Sequence, residues 1–234
     1  MGALILFYVR HGDPIYNPDS LTPLGKRQAE AVARRIAVHG IDKIFSSSSN
    51  RAYETALPLS EITKKGIVKI DFLNESQAGK YFFVYTEKNK REWIYNIPNF
   101  RETLVSDECI KLGYKWYEHP QFADYNFKEG IDFFDKNIDE FMYSLGYEHD
   151  RVKHSYKALK ENNDRVAVFA HEGMGSVFLS SIFDIPYSFA AHYKMIHTGM
   201  TAIEFAHSGD EIIPRVISCA NDSHLYKDVL PTQI

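Results

Sequence analysis

The feature that most constrains the fold is a run of seven apolar residues, from Ala3 to Val9, that leads directly into Arg10 and His11. A half-buried strand alternates apolar and polar side chains, whereas a central strand covered by helices on both faces is apolar throughout. The run is short and lacks the basic residues that begin a signal peptide, so we predict a buried strand. Residues just after such a strand lie where open α/β sheets bind ligands.

Apolar strands and amphipathic helices continue to alternate along the chain. Further strands are predicted over residues 43–46, 67–73, 165–170, 201–205 and 212–217. Thr22 and Pro23 supply an N-cap and a first-turn proline for a helix that ends near Gly40. A second helix follows the serines at 47–49, and Pro58 should kink or break it. This order predicts a three-layer α/β sandwich with a mainly parallel central sheet and helices on both faces.

The pattern changes between about residues 76 and 150, where both tryptophans and more than half of the aromatic residues lie. This segment holds few convincing strands. Apolar residues at helical spacing predict an amphipathic helix over 131–145, and a second helix is expected over 152–159. We therefore predict that residues 1–234 form one α/β domain with a mostly helical, aromatic-rich cap inserted at about 76–150.

Composition excludes several classes of function. The formal net charge is -4, and the basic residues are scattered, so no basic tract attracts nucleic acid or an anionic membrane. No apolar stretch approaches the roughly 20 residues of a membrane-spanning helix. Cys109 and Cys219 lie far apart and in no metal-ligand spacing, which favours reduced thiols and a cytoplasmic location. No Walker loop or dinucleotide motif indicates a cofactor, so none is expected, and the oligomeric state is left open.

Polar residues near the predicted strand ends have the chemistry to split a phosphate ester. The reaction needs cations for the phosphoryl oxygens, an aligned nucleophile, and an acid for the departing oxygen. Arg10, Arg51 and His171 can supply positive charge. His11 is the candidate nucleophile and Glu75 the candidate acid. Because the cations are side chains, no metal ion is expected in this site.

The order of these residues resembles a known family. The matching motifs are Arg10-His11-Gly12, Leu21-Thr22-Pro23-Leu24-Gly25, Ser47 four residues before Arg51, Glu75 with Gly79, His171, and Asn221-Asp222-Ser223-His224-Leu225. Together they resemble the histidine phosphatase superfamily, in its phosphoglycerate mutase-like branch. The resemblance implies an α/β sandwich with His11 as the phosphorylated nucleophile and Glu75 as the proton donor. It also implies a phosphate pocket formed by Arg10, Asn17, Arg51 and His171.

Three positions depart from the pattern of that family. Ser48 stands where proline is usual, Glu172 stands where glycine is frequent, and Pro58 falls within the second helix. A carboxylate at position 172 would weaken anion binding unless it turned away or met a cationic group of the substrate. We predict a structural role for Glu172.

The sequence favours a metal-independent phosphomonoesterase that acts on a small phosphorylated metabolite. A phosphomutase uses the same phosphoenzyme, but the residues after Glu75 do not resemble the arginine-, histidine- and tyrosine-bearing stretch of true phosphoglycerate mutases. A non-catalytic module that binds a phosphorylated ligand would need neither His11 nor Glu75. The substrate stays open, and the cap residues that could face the pocket are Lys80, Tyr81, Lys88, Lys90, Arg91, Arg101, His119 and Tyr125.

Overall fold

The computed structural model describes residues 2–86, 88–207 and 211–233, and strands alternate with helices along most of this length. The strands are β1 (Ala3–Arg10), β2 (Pro14–Tyr16), β3 (Asp19–Leu21), β4 (Lys43–Ser47), β5 (Ile67–Ile70), β6 (Phe83–Tyr85), β7 (Arg91–Trp93), β8 (Tyr147–Asp150), β9 (Ser155–Ala158), β10 (Arg165–Ala170), β11 (Met200–Ala206) and β12 (Arg215–Asn221). The α-helices are α1 (Pro23–Ala37), α2 (Asn50–Thr63), α3 (Glu75–Phe82), α4 (Pro98–Leu104), α5 (Asp107–Leu112), α6 (Phe127–Ser144), α7 (Glu172–Phe183) and α8 (Ser223–Lys227). None of the helices in the described ranges is long and apolar enough to cross a membrane.

A six-stranded sheet lies at the centre, in the order β12-β11-β1-β10-β4-β5. Strands β1, β10, β4 and β5 are parallel, whereas β11 and β12 add an antiparallel pair at one edge. The predicted mainly parallel sheet is confirmed. The last strand begins at Arg215 rather than at residue 212, because Ile212 instead pairs with Tyr156 of β9.

Alternate side chains of β1 enter hydrophobic clusters on opposite faces of the sheet. Leu4, Leu6 and Tyr8 belong to a large cluster with residues of α3, α6 and α7. Phe7 and Val9 belong to a smaller cluster with residues of α1 and α2. Helices therefore cover both faces, as the unbroken apolar run predicts, and the three-layer sandwich is confirmed.

The first two helices begin as their sequences predict. The Thr22 side chain accepts a hydrogen bond from the Gly25 N–H at 3.0 Å and caps α1. Helix α2 follows Ser49 and continues through Pro58 to Thr63, so the predicted break is wrong. Leu59, beside the proline, is fully buried in the smaller cluster, and this packing offsets the hydrogen bond that Pro58 cannot donate.

The cap is mostly helical and packs into the same cluster as the sheet. Helix α6 confirms the predicted amphipathic stripe. The buried rings of Trp116, Phe122 and Phe127 share the large cluster with Leu6 and Tyr8 of β1. Strands β6 and β7 form a short hairpin within the cap.

The second helix predicted over 152–159 is wrong. Strands β8 and β9 pair as an antiparallel hairpin in this region, with Tyr147 opposite Ala158 and Asp150 opposite Ser155. His154 lies in the left-handed region with φ 54°, which an α-helix does not accommodate.

A group of charged side chains, called here the hairpin network, ties this hairpin to α6 and α7. His149 Nδ1 lies 2.9 Å from an oxygen of Asp139, and its Nε2 lies 3.0 Å from an oxygen of Asp184. Arg151 donates to both carboxylates at 2.8–2.9 Å. With a carboxylate beside each ring nitrogen, the network favours the doubly protonated imidazolium of His149.

Candidate active site

The residues predicted to carry chemistry are delivered to one edge of the sheet. Arg10 ends β1 and His11 follows it, Arg51 lies in the first turn of α2 after β4, and Glu75 begins α3 after β5. These four side chains line a cavity of about 540 Å³. His171, which follows β10, is fully buried and contacts Arg51 at the cavity. Five of the six predicted residues are therefore brought together.

Asn17 is the sixth predicted residue, and it lies outside this group. It is exposed in the turn between β2 and β3 and is not among the residues that line the cavity. Tyr16, its neighbour in the chain, lines the cavity instead, with its ring centre 5.5 Å from the guanidinium carbon of Arg51. A phosphate contact from Asn17 stays a prediction.

His11 has the protonation state that a nucleophile requires. Its Nδ1 lies 2.7 Å from the carbonyl oxygen of Gly12, so this nitrogen carries the proton and donates it. The lone pair is then on Nε2. The side chain is 3% exposed, and burial, followed by the nearby charge of Arg10, holds the pKa of His11 well below its usual 6.5. His11 is therefore a neutral imidazole near neutral pH.

His171 is fixed in the opposite tautomer. Its Nδ1 lies 3.1 Å from a terminal nitrogen of Arg51, and because arginine only donates, Nδ1 accepts. The proton is on Nε2, which lies 2.9 Å from the Ser47 hydroxyl and 3.2 Å from the Ser49 hydroxyl. Burial and the neighbouring His11 and Arg51 keep the pKa of His171 well below 6.5. The serine run thus orients a second neutral histidine beside the first.

Glu75 occupies a position where a carboxyl keeps its proton. Asn74 caps α3, so the Glu75 carboxyl lies at the start of that helix and reaches the first turn of α7. Its two oxygens accept hydrogen bonds from the N–H groups of Gly173 at 3.2 Å and Met174 at 3.3 Å. Burial outweighs these bonds and raises the pKa of Glu75 to about 7, although 21% of the side chain stays exposed in the cavity. The carboxyl is half protonated near neutral pH.

Both arginines are held by carboxylates. A terminal nitrogen of Arg51 lies 2.8 Å from an oxygen of Asp19. A terminal nitrogen of Arg10 lies 2.7 Å from an oxygen of Glu172 and also donates to the carbonyl of Met195. Within the described part of the chain, the buried Nε–H groups of both arginines have no hydrogen-bond partner. Buried donors without a partner are costly, so this end of the cavity is suited to an oxyanion.

Aromatic side chains form the wall of the cavity above the arginines. Phe83, Trp93 and Tyr95 come from the cap, and the rings of Trp93 and Tyr95 stack with 5.6 Å between centres and 9° between planes. The Trp93 ring lies against Gly173, where an added Cβ would come within 2.1 Å of the indole. Glycine at position 173 therefore leaves the space that the Trp93 ring occupies. Arg101 and Lys194 add positive charge to the lining.

Comparison with known proteins agrees with this geometry. The sequence profile described as histidine phosphatase superfamily (branch 1) matches residues 6–109, which include Arg10, His11, Arg51 and Glu75. Over these residues the chain is similar to the histidine phosphatase superfamily. "Putative phosphoserine phosphatase 2" of Hydrogenobacter thermophilus is 28% identical to this chain over 153 residues, which cover 62% of the chain and 68% of that protein.

Solved structures of the superfamily have the same fold. Phosphoserine phosphatase from Entamoeba histolytica, in complex with 3-phosphoglyceric acid, matches with a TM-score of 0.59 at 20% identity, over 95% of this chain and 99% of that one. A mycobacterial glucosyl-3-phosphoglycerate phosphatase matches with a TM-score of 0.60 at 18% identity, over 93% of this chain and 99% of that one. At such low identity these structures establish the fold alone.

Sequence reasoning missed most of the cavity lining. Of the cap residues offered as candidates, Arg101 lines the cavity, whereas Lys88 and Lys90 line a separate groove beside the β6–β7 hairpin. The sequence does not single out Trp93 and Tyr95 as cavity residues. The signal that could have pointed to them is the high aromatic content of the cap. Among the described residues, no group of three or more histidine, cysteine or acidic side chains is arranged to hold a metal ion.

Proposed function

We propose that this chain is a histidine phosphatase, a phosphomonoesterase that hydrolyses small phosphorylated metabolites through a phosphohistidine on His11. The observation that carries the proposal is the pairing, in one cavity, of a neutral His11 with a Glu75 carboxyl whose pKa is about 7. The activities named for its relatives, phosphoserine phosphatase and glucosyl-3-phosphoglycerate phosphatase, support hydrolysis of small phosphate esters.

In the first half-reaction, His11 Nε2 attacks the phosphorus atom as the bond from phosphorus to the ester oxygen breaks. Arg10 and Arg51 neutralise the charge of the phosphoryl oxygens, and their planar donor forks match that tetrahedral group. Protonated Glu75 gives its proton to the departing oxygen, so the alcohol leaves neutral. The products of this step are the free alcohol, phosphohistidine and the Glu75 carboxylate.

In the second half-reaction, the Glu75 carboxylate takes a proton from a water molecule. The water oxygen attacks phosphorus as the bond from phosphorus to Nε2 of His11 breaks. Inorganic phosphate leaves, and both His11 and Glu75 return to their starting protonation states. A pKa near 7 suits a group that acts first as an acid and then as a base at neutral pH.

All the positive charge in this mechanism comes from side chains, so we further propose that turnover needs no metal ion. We expect the Nε–H groups of Arg10 and Arg51, which have no partner among the described residues, to donate to the phosphoryl oxygens, and His171, which accepts from Arg51, to orient that arginine. His171 Nδ1 lies 3.9 Å from an oxygen of Glu75, which brings the proposed acid close to the proposed phosphate site.

The test is a hydrolysis screen in excess chelator, followed by trapping of the phosphoenzyme. We expect release of inorganic phosphate from sugar, glycerate and amino acid phosphates, and a labelled enzyme that is acid-labile and alkali-stable, with label on His11. Label on serine, or strict dependence on added Mg²⁺ or Zn²⁺, would contradict the mechanism. Transfer of the phosphoryl group to glycerate without phosphate release would replace the hydrolase with a mutase.

A further inference from the structure

Glu172 places a negative charge at the phosphate end of the cavity. It begins α7, lines the cavity, and keeps 23% of its side chain exposed there. One of its oxygens lies 2.7 Å from a terminal nitrogen of Arg10, which is one of the two proposed phosphate-binding arginines. Glu172 therefore shares the positive charge of Arg10 with any phosphoryl group that binds there.

A phosphate ester without a positive charge would bind poorly beside this carboxylate. A phosphoryl group held by the Nε–H of Arg10 would lie close to the partly buried Glu172 carboxylate, and the two negative charges would share one guanidinium. Like charges at close range repel, most strongly where water is partly excluded. A cationic group on the substrate, close to its phosphate, would offset this repulsion.

The surroundings of Glu172 have the chemistry of an ammonium site. Trp93 lies against Gly173, the residue next to Glu172, and stacks on Tyr95, which is 8% exposed. The faces of tryptophan and tyrosine rings attract organic cations, and the attraction grows when water is excluded. A cavity lined by a carboxylate and two stacked aromatic rings is suited to a protonated amine.

The lining also offers charge of the opposite sign. Arg101 and Lys194 line the same cavity as Glu172. A carboxylate on a substrate bound by its phosphate and its amine would find these two cations. The cavity thus has partners for a phosphate, an ammonium group and a carboxylate together.

We propose, on the basis of the function proposed above, that Glu172 makes this phosphatase selective for phosphate esters that carry a protonated amine near the phosphate. The substrate class is that of phosphorylated amino alcohols, including amino acids phosphorylated on a side-chain hydroxyl. Glu172 is then a residue that determines specificity, in place of the purely structural role expected from the sequence.

The test compares phosphoserine with 3-phosphoglycerate, which differ only in an ammonium group against a hydroxyl at one carbon. The wild-type protein should prefer phosphoserine about tenfold or more in kcat/KM, the size expected for one hydrogen bond between charged groups. Glu172→Gln should bring the ratio close to one, through a higher KM for phosphoserine and a lower KM for 3-phosphoglycerate. Glu129→Gln, at the exposed start of α6, makes the same chemical change outside the cavity and should leave both values unchanged.

Three results would overturn the inference. The wild type could hydrolyse both esters with equal kcat/KM, or Glu172→Gln could lower both values by one common factor, as a structural role through Arg10 would require. Loss of phosphoserine activity through kcat alone would also contradict selection by binding. If Glu172→Gln does not fold, the wild-type ratio decides the matter by itself. Absence of turnover for every phosphate ester tested would instead contradict the proposed function.

Discussion

Replacing Glu75 with glutamine removes the proposed acid while it keeps the size of the side chain. The raised pKa of Glu75 decides how much of the protonated acid is present at neutral pH. At pH 7 a carboxyl with the pKa of about 7 found for Glu75 is half protonated, whereas one at the ordinary 4.5 would be protonated roughly 0.3% of the time. Burial of Glu75 therefore increases the population of the active acid by roughly 150-fold, and glutamine has no proton to give.

The loss should depend on the leaving group. For an alkyl ester such as phosphoserine, Glu75→Gln should lower kcat/KM by about 10²- to 10⁴-fold, the usual contribution of a general acid. For an activated aryl phosphate, whose departing oxygen needs little help, the loss should be less than about tenfold. Phosphate release from both substrates measures the difference, and circular dichroism checks the fold.

The pH dependence has a definite sign. Because the first half-reaction needs protonated Glu75, wild-type kcat/KM for the alkyl ester should fall as pH rises through about 7, by about tenfold for each further pH unit. The pKa of His11 lies well below 6.5, so the nucleophile stays neutral on the acidic side of this range. In Glu75→Gln this fall of kcat/KM above pH 7, the basic limb of the pH profile, should disappear. Glu102→Gln, an exposed acid on α4, is the matched control.

The assignment of Glu75 would be refuted if both classes of ester lost activity by one common factor. It would also be refuted if the basic limb persisted in Glu75→Gln. A large loss in Glu102→Gln, with Glu75→Gln close to the wild type, would move the acid to the cap.

Further predictions concern binding and stability. His11→Ala should abolish turnover and still bind inorganic phosphate in a calorimetric titration, because the arginines remain; loss of phosphate binding or surviving turnover would contradict the role of His11. Burial lowers the pKa of His149, but its hydrogen bonds to two aspartates outweigh burial and raise it above 6.5. The stability that the hairpin network contributes should therefore be complete below pH 6.5 and should fall as pH rises through the raised pKa of His149. The urea midpoint of the wild type should drop over this pH range, whereas the urea midpoint of His149→Gln should not change. Gly173→Ala should lower the free energy of unfolding by about 1–3 kcal/mol in urea titrations, because its Cβ would collide with Trp93; an unchanged midpoint would show that the indole moves freely.

The sheet and the reacting groups could be predicted from sequence because both depend on local signals. An apolar run that ends in Arg10 and His11 specifies a buried strand and the residues at its carboxyl end, and the parallel sheet brings such ends together. The partners of the reacting groups depend on tertiary contacts instead. The ion pair of Glu172 with Arg10 joins positions 162 residues apart, and nothing in the sequence near either one indicates it.

The cap was predicted less well for a related reason. The β8–β9 hairpin is stabilised by contacts of His149 with Asp139 on α6 and with Asp184 just after α7, and these override the local helical spacing of residues 152–159. Trp93 and Tyr95 lie in short turns and strands without a periodic pattern, so their place on the cavity wall follows only from how the cap packs on α7.

The shared packing of cap and sheet affects how the specificity of this enzyme could change. Trp116, Phe122 and Phe127 are buried in one continuous cluster with Leu6 and Tyr8 of β1. A cap grafted from another phosphatase would have to refill that cluster, because each large side chain lost from a core leaves a cavity that costs about 3–5 kcal/mol. The segment is therefore not an interchangeable module. New substrates are more accessible to evolution through single replacements on the cavity wall than through recombination of whole caps.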